Sequence, residues 1–343
     1  MNVHLNTLYV TTDGSYLGKD HDTVVVRVEK ERRAQIPLLH LGAVCCFGRV
    51  AISPELMGAM TQAGIHIAFF SSTGRFLARV EGVPGGNVLL RRQQHRVADD
   101  AARSLAIARA VVIGKVANTR QFLMHARRDA PTDERRATIG AVCDRLAIHL
   151  RSLPGAKTVE GVRGFEGIAA KDYFSVFGEL VKRSEAEFTF SGRSRRPPKD
   201  RINALLSFGY ALLMQDCASA AAGVGLDPAI GFLHEDRPGR LCLALDLMEE
   251  LRVPVVDRLM LSLVNRGQLG ADDFVEESAG GVRLTDDARK TVLTAYQAAK
   301  TVEVQHEFLD QTVTWSRVPH LQALLLSRLL RGDLDAYPPF SVR

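Results

Sequence analysis

The chain has 343 residues, 46% of them hydrophobic and 24% charged, with a formal net charge of +5. That length allows two domains, the composition is that of an ordinary globular protein, and the mild basic excess favours polyanions over acidic partners. No stretch approaches about 18 uninterrupted apolar residues, so no membrane-spanning helix is expected.

In chain order, strands come first. LYVTT (8–12), TVVVRVE (23–29), AQIPLL (34–39) and HIAFF (66–70) are β-branched or aromatic-rich and bounded by turn residues. DGSY (13–16) and STGR (72–75) read as hairpin turns. One helix interrupts the strands: Ser53 caps it, Pro54 takes its first turn, Glu55 suits its positive end and Gly64 stops it. The N-terminal MNVHLNTLYVTTDG has neither the basic lead nor the apolar core expected of a secretory signal. Five cysteines, an odd number with no CxxC pair, predict reduced, mostly buried thiols and a cytoplasmic protein.

GVPGGN (82–87) breaks the strand pattern, and from about Val97 the apolar period becomes helical. Helices are predicted over 98–117, 119–128, 133–153, 159–182, 202–222 (capped by Asp200), 241–251, 255–265, 286–305 and 319–331. The fold class is therefore α+β: a small β-rich N-terminal domain (1–82), a linker (83–97), a larger all-helical C-terminal domain (98–331) and an extended tail (332–343).

Three features carry chemistry. The run 241–251 is apolar almost all round, as in a buried helix, yet Asp246 and Glu249 share one face of it, shortly after His234 on a loop. Buried acids need partners: either arginines such as Arg240, Arg252 and Arg258, or a cation held with His234. Glu166 lies between Gly164 and Gly167, which predicts close approach of the backbone to another group; its carboxylate could equally complement a helix start. If Glu166, His234 and Glu249 converge, two carboxylates and an imidazole suit Mg²⁺ or Mn²⁺, with Zn²⁺ open because histidine is a ligand. Between them, FSGRSRRPPKDRINALL (190–206) holds Arg193, Arg195, Arg196, Lys199 and Arg201. This is either a solvated charged loop or a contact surface for phosphodiesters, and Arg91, Arg92, Arg96, Lys115, Arg120, Arg127 and Arg128 would extend that surface. There is no GxxxxGK[ST] and no GxSxG.

The motifs EG at Glu166, RSRRPPKDRINALLSFGYALL (193–213), GLDPAIGFLHEDRPGR (225–240) and LALDLMEELR (243–252), in that order, resemble the CRISPR-associated adaptation endonuclease and integrase, the Cas one family. The linker and the YPPF tail are most similar to type I-C members. The resemblance implies an N-terminal β domain that forms a homodimer and a helical catalytic domain. It implies partners: the small Cas two protein, in a heterohexamer with two Cas one dimers, and double-stranded DNA, as prespacer and CRISPR repeat. It also implies the reaction, which joins prespacer 3′-OH ends to the repeat by transesterification. Carried over, Glu166, His234 and Glu249 are the metal ligands, with Glu249 standing where many members have Asp, and Asp246 is a further acid beside the site. Two other readings of the residues remain: a nucleic-acid-binding scaffold whose acids only pair with arginines, and a metal hydrolase of small phosphate esters.

Overall fold

The computed structural model describes residues 6–74, 76–82, 88–183, 187–277 and 280–342. The chain divides into two units, Met1–Gly86 and Asn87–Arg343.

In the first unit, β1 (Asn6–Val10), β5 (Leu41–Phe47), β7 (His66–Phe70) and β8 (Phe76–Val80) form one sheet in the order β1-β5-β7-β8. The second sheet has the order β4-β3-β2-β6, from β2 (Tyr16–Asp20), β3 (Thr23–Val28), β4 (Glu31–Pro37) and β6 (Ala51–Ile52). Helix α1 (Pro54–Gln62) is capped as its sequence predicts, Ser53 accepting from the Leu56 amide. Leu17, Val24, Val44, Leu56, Met60 and Ile67 share its core. Four strands escape the sequence reading: β2, β5, β6 and β8. β5, LGAVCCF, is apolar on both faces and so lacks alternation, and β2 is interrupted by Gly18. The turn at 72–75 does join an antiparallel hairpin, β7 to β8, with Arg75 outside the described residues. The segment 13–16 is not a hairpin turn. It carries the chain from one sheet to the other, tied down by the Arg49–Asp13 ion pair and by the Gly14 amide donating to Arg49 O.

The second unit contains α2 (Val88–Asp99), α3 (Ala101–Arg128), α4 (Asp133–Ser152), α5 (Val159–Ser175), α6 (Arg201–Gly223), α7 (Cys242–Glu249), α8 (Arg258–Asn265), α9 (Asp286–Lys300) and α10 (Val318–Arg331). The expected linker is half helix: 83–87 lie outside the described residues, and 88–97 belong to α2, whose Leu90, Gln94 and Val97 are buried along one stripe. The two helices predicted over 98–128 are one, because Asn118, which resembles a break, is buried and bonded in mid-helix. The unit is not all-helical. β9 (Phe274–Glu276) pairs with β10 (Val282–Leu284), and β11 (Glu303–His306) pairs with β12 (Gln311–Thr314). These strands of three and four residues are too short to show a period, and β11 takes the stretch read as the end of α9. Among its described residues the tail has no helix or strand, and its Tyr337 and Phe340 are buried. No helix among the described residues is long and apolar enough to cross a membrane.

Between α7 and α8, residues Arg252–Asp257 form a π-helical turn around Pro254. Proline has no N–H to return to the carbonyl four residues earlier, that of Glu250. Asn118 Nδ2 fills that gap, donating to Glu250 O at 2.8 Å. The turn widens the helix directly after Glu249, a place where such bulges recur at functional sites.

Candidate metal and nucleic-acid site

Asp246 is buried in α7 and organises the loop before it. Its carboxylate accepts the backbone N–H groups of Phe232 (2.6 Å), Leu233 (3.0 Å) and His234 (3.0 Å), and lies 2.7 Å from His234 Nδ1. An acid bonded to Nδ1 makes that nitrogen the donor, which leaves the Nε2 lone pair free to ligate. Gly231 makes this approach possible: a Cβ there would come within 2.9 Å of Asp246 Oδ2 and 2.8 Å of Cys242 Cβ. From α2, Gln94 braces the same loop, donating to the Asp227 and Ile230 carbonyls and accepting from the Asp227 amide, each at 2.8 Å.

Glu249 sits one turn further along α7, with its side chain only 3% exposed. Its Oε1 lies 2.8 Å from Arg252 Nη2 and 3.7 Å from His234 Nε2. Its Oε2 is buried and lies 2.6 Å from Lys115 Nζ. Burial opposes the charge, but Arg252, Lys115 and His234 outweigh it and hold this carboxyl well below the ordinary glutamate range. Glu166 lies in mid-helix on α5, not at its start, and its Oε1 bonds the same Lys115 ammonium. Beside it, the space over Gly164 and Gly167 is open, so those glycines do not serve a close approach to another part of this chain.

Three segments far apart in sequence thus meet at one point. Glu166 and Glu249 face each other across the Lys115 ammonium, and His234 stands against Glu249 with Asp246 behind it. Among the described residues, no three His, Cys, Asp or Glu side chains already stand at ligand distances around one point. The position between the acids is taken by lysine nitrogen. Two carboxylates and one imidazole nitrogen are nevertheless a donor set that Mg²⁺ or Mn²⁺ fits. Of the arginines named for the acids from sequence, Arg252 pairs with Glu249, while Asp246 bonds the histidine loop and not an arginine.

Lys115 reads from sequence as one more phosphate-contacting cation. Its signal was its setting, since α3 is apolar around it, with Val111, Val112, Val116 and Thr119 buried. Tyr210 and Asp257 carried no signal. The Tyr210 and Tyr173 hydroxyls donate to Asp257 at 2.6 and 2.9 Å, and the guanidinium groups of Arg252 and Arg193 lie 4.9 and 5.4 Å from the Tyr210 ring centroid.

The basic segment divides. Arg193 turns inward, donating to Asn203 Oδ1 at 2.7 Å and Ser207 Oγ at 3.1 Å, and Arg201 donates to the Glu187 carbonyl. Of the others, Arg196 and Lys199 lie further out along the loop with Arg195. Arg193 and Arg195 line a small cavity together with Lys115, Glu166, Tyr210 and Arg252, so the loop does adjoin the acids.

A family model described as CRISPR associated protein Cas1 matches residues 8–298. The chain belongs to the Cas1 family. It is 48% identical over 340 residues to the CRISPR-associated endonuclease Cas1 1 of Chlorobaculum tepidum, covering 99% of each chain. It is 51% identical over 340 residues to the CRISPR-associated endonuclease Cas1 2 of Rhodospirillum rubrum, covering 98% of each. Among solved structures, a CAS1 protein from Thermotoga maritima matches with a TM-score of 0.82 at 27% identity, over 96% of this chain and 98% of that one. In this Cas1 chain, N-terminal strands followed by a mainly helical region are thus the architecture of a solved family member.

Proposed function

We propose that this Cas1 chain is a divalent-metal-dependent DNA endonuclease and integrase of CRISPR adaptation, joining prespacer 3′-OH ends to the repeat. The observation that carries the reading is the meeting of Glu166, His234 and Glu249 around one cation position beside a basic loop. Glu166, His234 Nε2 and Glu249 would hold Mg²⁺ or Mn²⁺. Such an ion would supply Lewis acidity toward an attacking hydroxyl or water and positive charge against that developing at phosphorus. Asp246 acts through His234, keeping the proton on Nδ1 and the ring in place. Arg252 remains on Glu249 and keeps the buried carboxylate charged. Lys115, displaced from the two acids by the ion, would have its ammonium free to meet a phosphate.

The same reading makes the working unit a homodimer that assembles with the small Cas2 protein in the cytoplasm. Its type I-C character rests on the YPPF tail and the GNVLLRRQQ segment. The Lys115 and Arg252 ion pairs support a second reading, a scaffold whose acids serve only structure.

Half-site integration of a labelled prespacer into a repeat-bearing plasmid, with Mn²⁺ or with chelator and with or without Cas2, separates the two. Strand transfer that needs the metal is expected. Metal-indifferent DNA binding with no joined product would leave only the scaffold. Arg195→Ala combined with Arg196→Ala should weaken duplex binding and lower the slope of log affinity against log salt by roughly two, about one for each phosphate that is no longer neutralised. An unchanged slope in a salt titration would make the loop merely solvated.

A further inference from the structure

The end of the chain is fastened to the two helices that carry Lys115 and Glu249. Phe340 N donates to Glu250 Oε2 at 2.7 Å. Asn118 Nδ2 donates to the Phe340 carbonyl, and Asn118 Oδ1 accepts from Val342 N, both at 2.9 Å. Gln322 of α10 donates to Glu250 Oε2 and to the Tyr337 hydroxyl, both at 2.8 Å. The tail also rests directly on α3. A Cβ on Gly114 would come within 2.8 Å of Pro339 Cβ and 3.2 Å of Glu250 Cγ.

The residues that grip the tail adjoin those of the site. Gly114 precedes Lys115, Asn118 lies one turn beyond it, and Glu250 follows Glu249. Asn118 also bonds the Glu250 carbonyl that Pro254 leaves without its helical partner. One asparagine therefore ties α3, the frayed end of α7 and the tail together. Helix α7 is only eight residues long and runs into a widened turn, and these contacts add to its packing in holding its end.

We propose that residues 337–342 are a positioning strap, which sets Glu249 against Lys115 and Glu166 at the spacing that a divalent cation requires. The proposal rests on the reading of Glu166, His234 and Glu249 as metal ligands. Ligand constellations tolerate errors of only about 0.5 Å, so a strap fastened to the residue beside Glu249 governs metal affinity more than DNA affinity.

The test uses full-length Gly114→Ala. Alanine favours helix over glycine by about 1 kcal/mol, so α3 is not weakened and the methyl group acts first on Pro339 and, less closely, on Glu250. The C-terminal residues should become digestible by carboxypeptidase. Mn²⁺ affinity, read by electron paramagnetic resonance, should fall roughly 10–100-fold, the usual cost of losing an outer support of a metal site. Duplex DNA affinity in chelator should be unchanged. Phe340→Ala is the second variant: it should lose Mn²⁺ affinity in the same way and regain it when a synthetic peptide of residues 333–343 is added, which a general loss of stability would not allow. Wild-type protein that binds no Mn²⁺ would overturn the metal reading itself. Wild-type protein that binds Mn²⁺, beside either folded variant with a digestible tail and undiminished affinity, would overturn the strap alone.

Discussion

Glu249→Ala is expected to lose both activity and stability. The carboxylate is buried under Lys115, Arg252 and His234, and its removal leaves those groups facing one another without their shared counter-charge. Breaking a buried pair in this way costs about 3–5 kcal/mol, and denaturant unfolding would read it. Strand transfer should fall by at least about a hundredfold, since outer-shell losses alone cost roughly 10–100-fold. Glu166→Ala and His234→Ala should abolish strand transfer as well, with smaller stability losses because both side chains are more exposed. Duplex binding should survive in all three. Full activity in any one of them removes that residue from the site. Lys115→Met is the complementary variant: with the resident ammonium gone, Mn²⁺ should bind more tightly. Weaker binding would mean that the lysine assembles the site and does not compete for it.

Glu250→Gln is expected to raise stability at alkaline pH, whereas removing the carboxylate next door at Glu249 lowers stability. Glu250 is fully buried, and among the described residues its side chain forms no ion pair with a lysine or arginine. Burial pushes its carboxyl up from an ordinary 4.5 to about 8, against the lowering effect of bonds from Phe340 N, Tyr337 and Gln322. The folded protein thus holds a proton that the unfolded chain releases. The stability this contributes is fully present below about 4.5 and is lost as pH rises through about 8, where the acid must ionise without a partner. The neutral amide keeps the shape and removes the titration. At pH 9 the variant should be more stable than the wild type by on the order of a few kcal/mol, and near pH 4 the two should match. Urea midpoints across that range decide it: parallel curves would mean that Glu250 is charged in the folded state after all. If the strap governs the site, Glu250→Gln also keeps Mn²⁺ affinity, whereas Glu249→Gln does not.

Much of the fold is legible in the residues alone. Period-two and period-3.6 patterns separate the two units, Ser53 and Asp200 cap their helices as expected, and the run 241–251 announces a buried helix carrying acids because its apolar side chains leave it no wet face. Local propensity stops where local chemistry is silent. Asn118 reads as a helix break because its amide can compete with the backbone. It lies instead in mid-helix because a distant carbonyl and the tail satisfy that amide. LGAVCCF reads as no particular element because a strand buried on both faces has no alternation.

The site divides in the same way. The kinds of donor, and the requirement that buried acids find a partner, follow from the sequence by itself, since desolvation is a property of the side chain. Which partner each acid takes was decided only in three dimensions. Whether Lys115 would point at solvent or between two carboxylates, and whether Asp246 would meet an arginine or the histidine loop, depends on how α3, α5 and α7 pack. Coulomb energies fall with distance, and Glu166 and Glu250, 51 positions from Lys115 and 132 from Asn118, acquire a distance to them only when the chain folds.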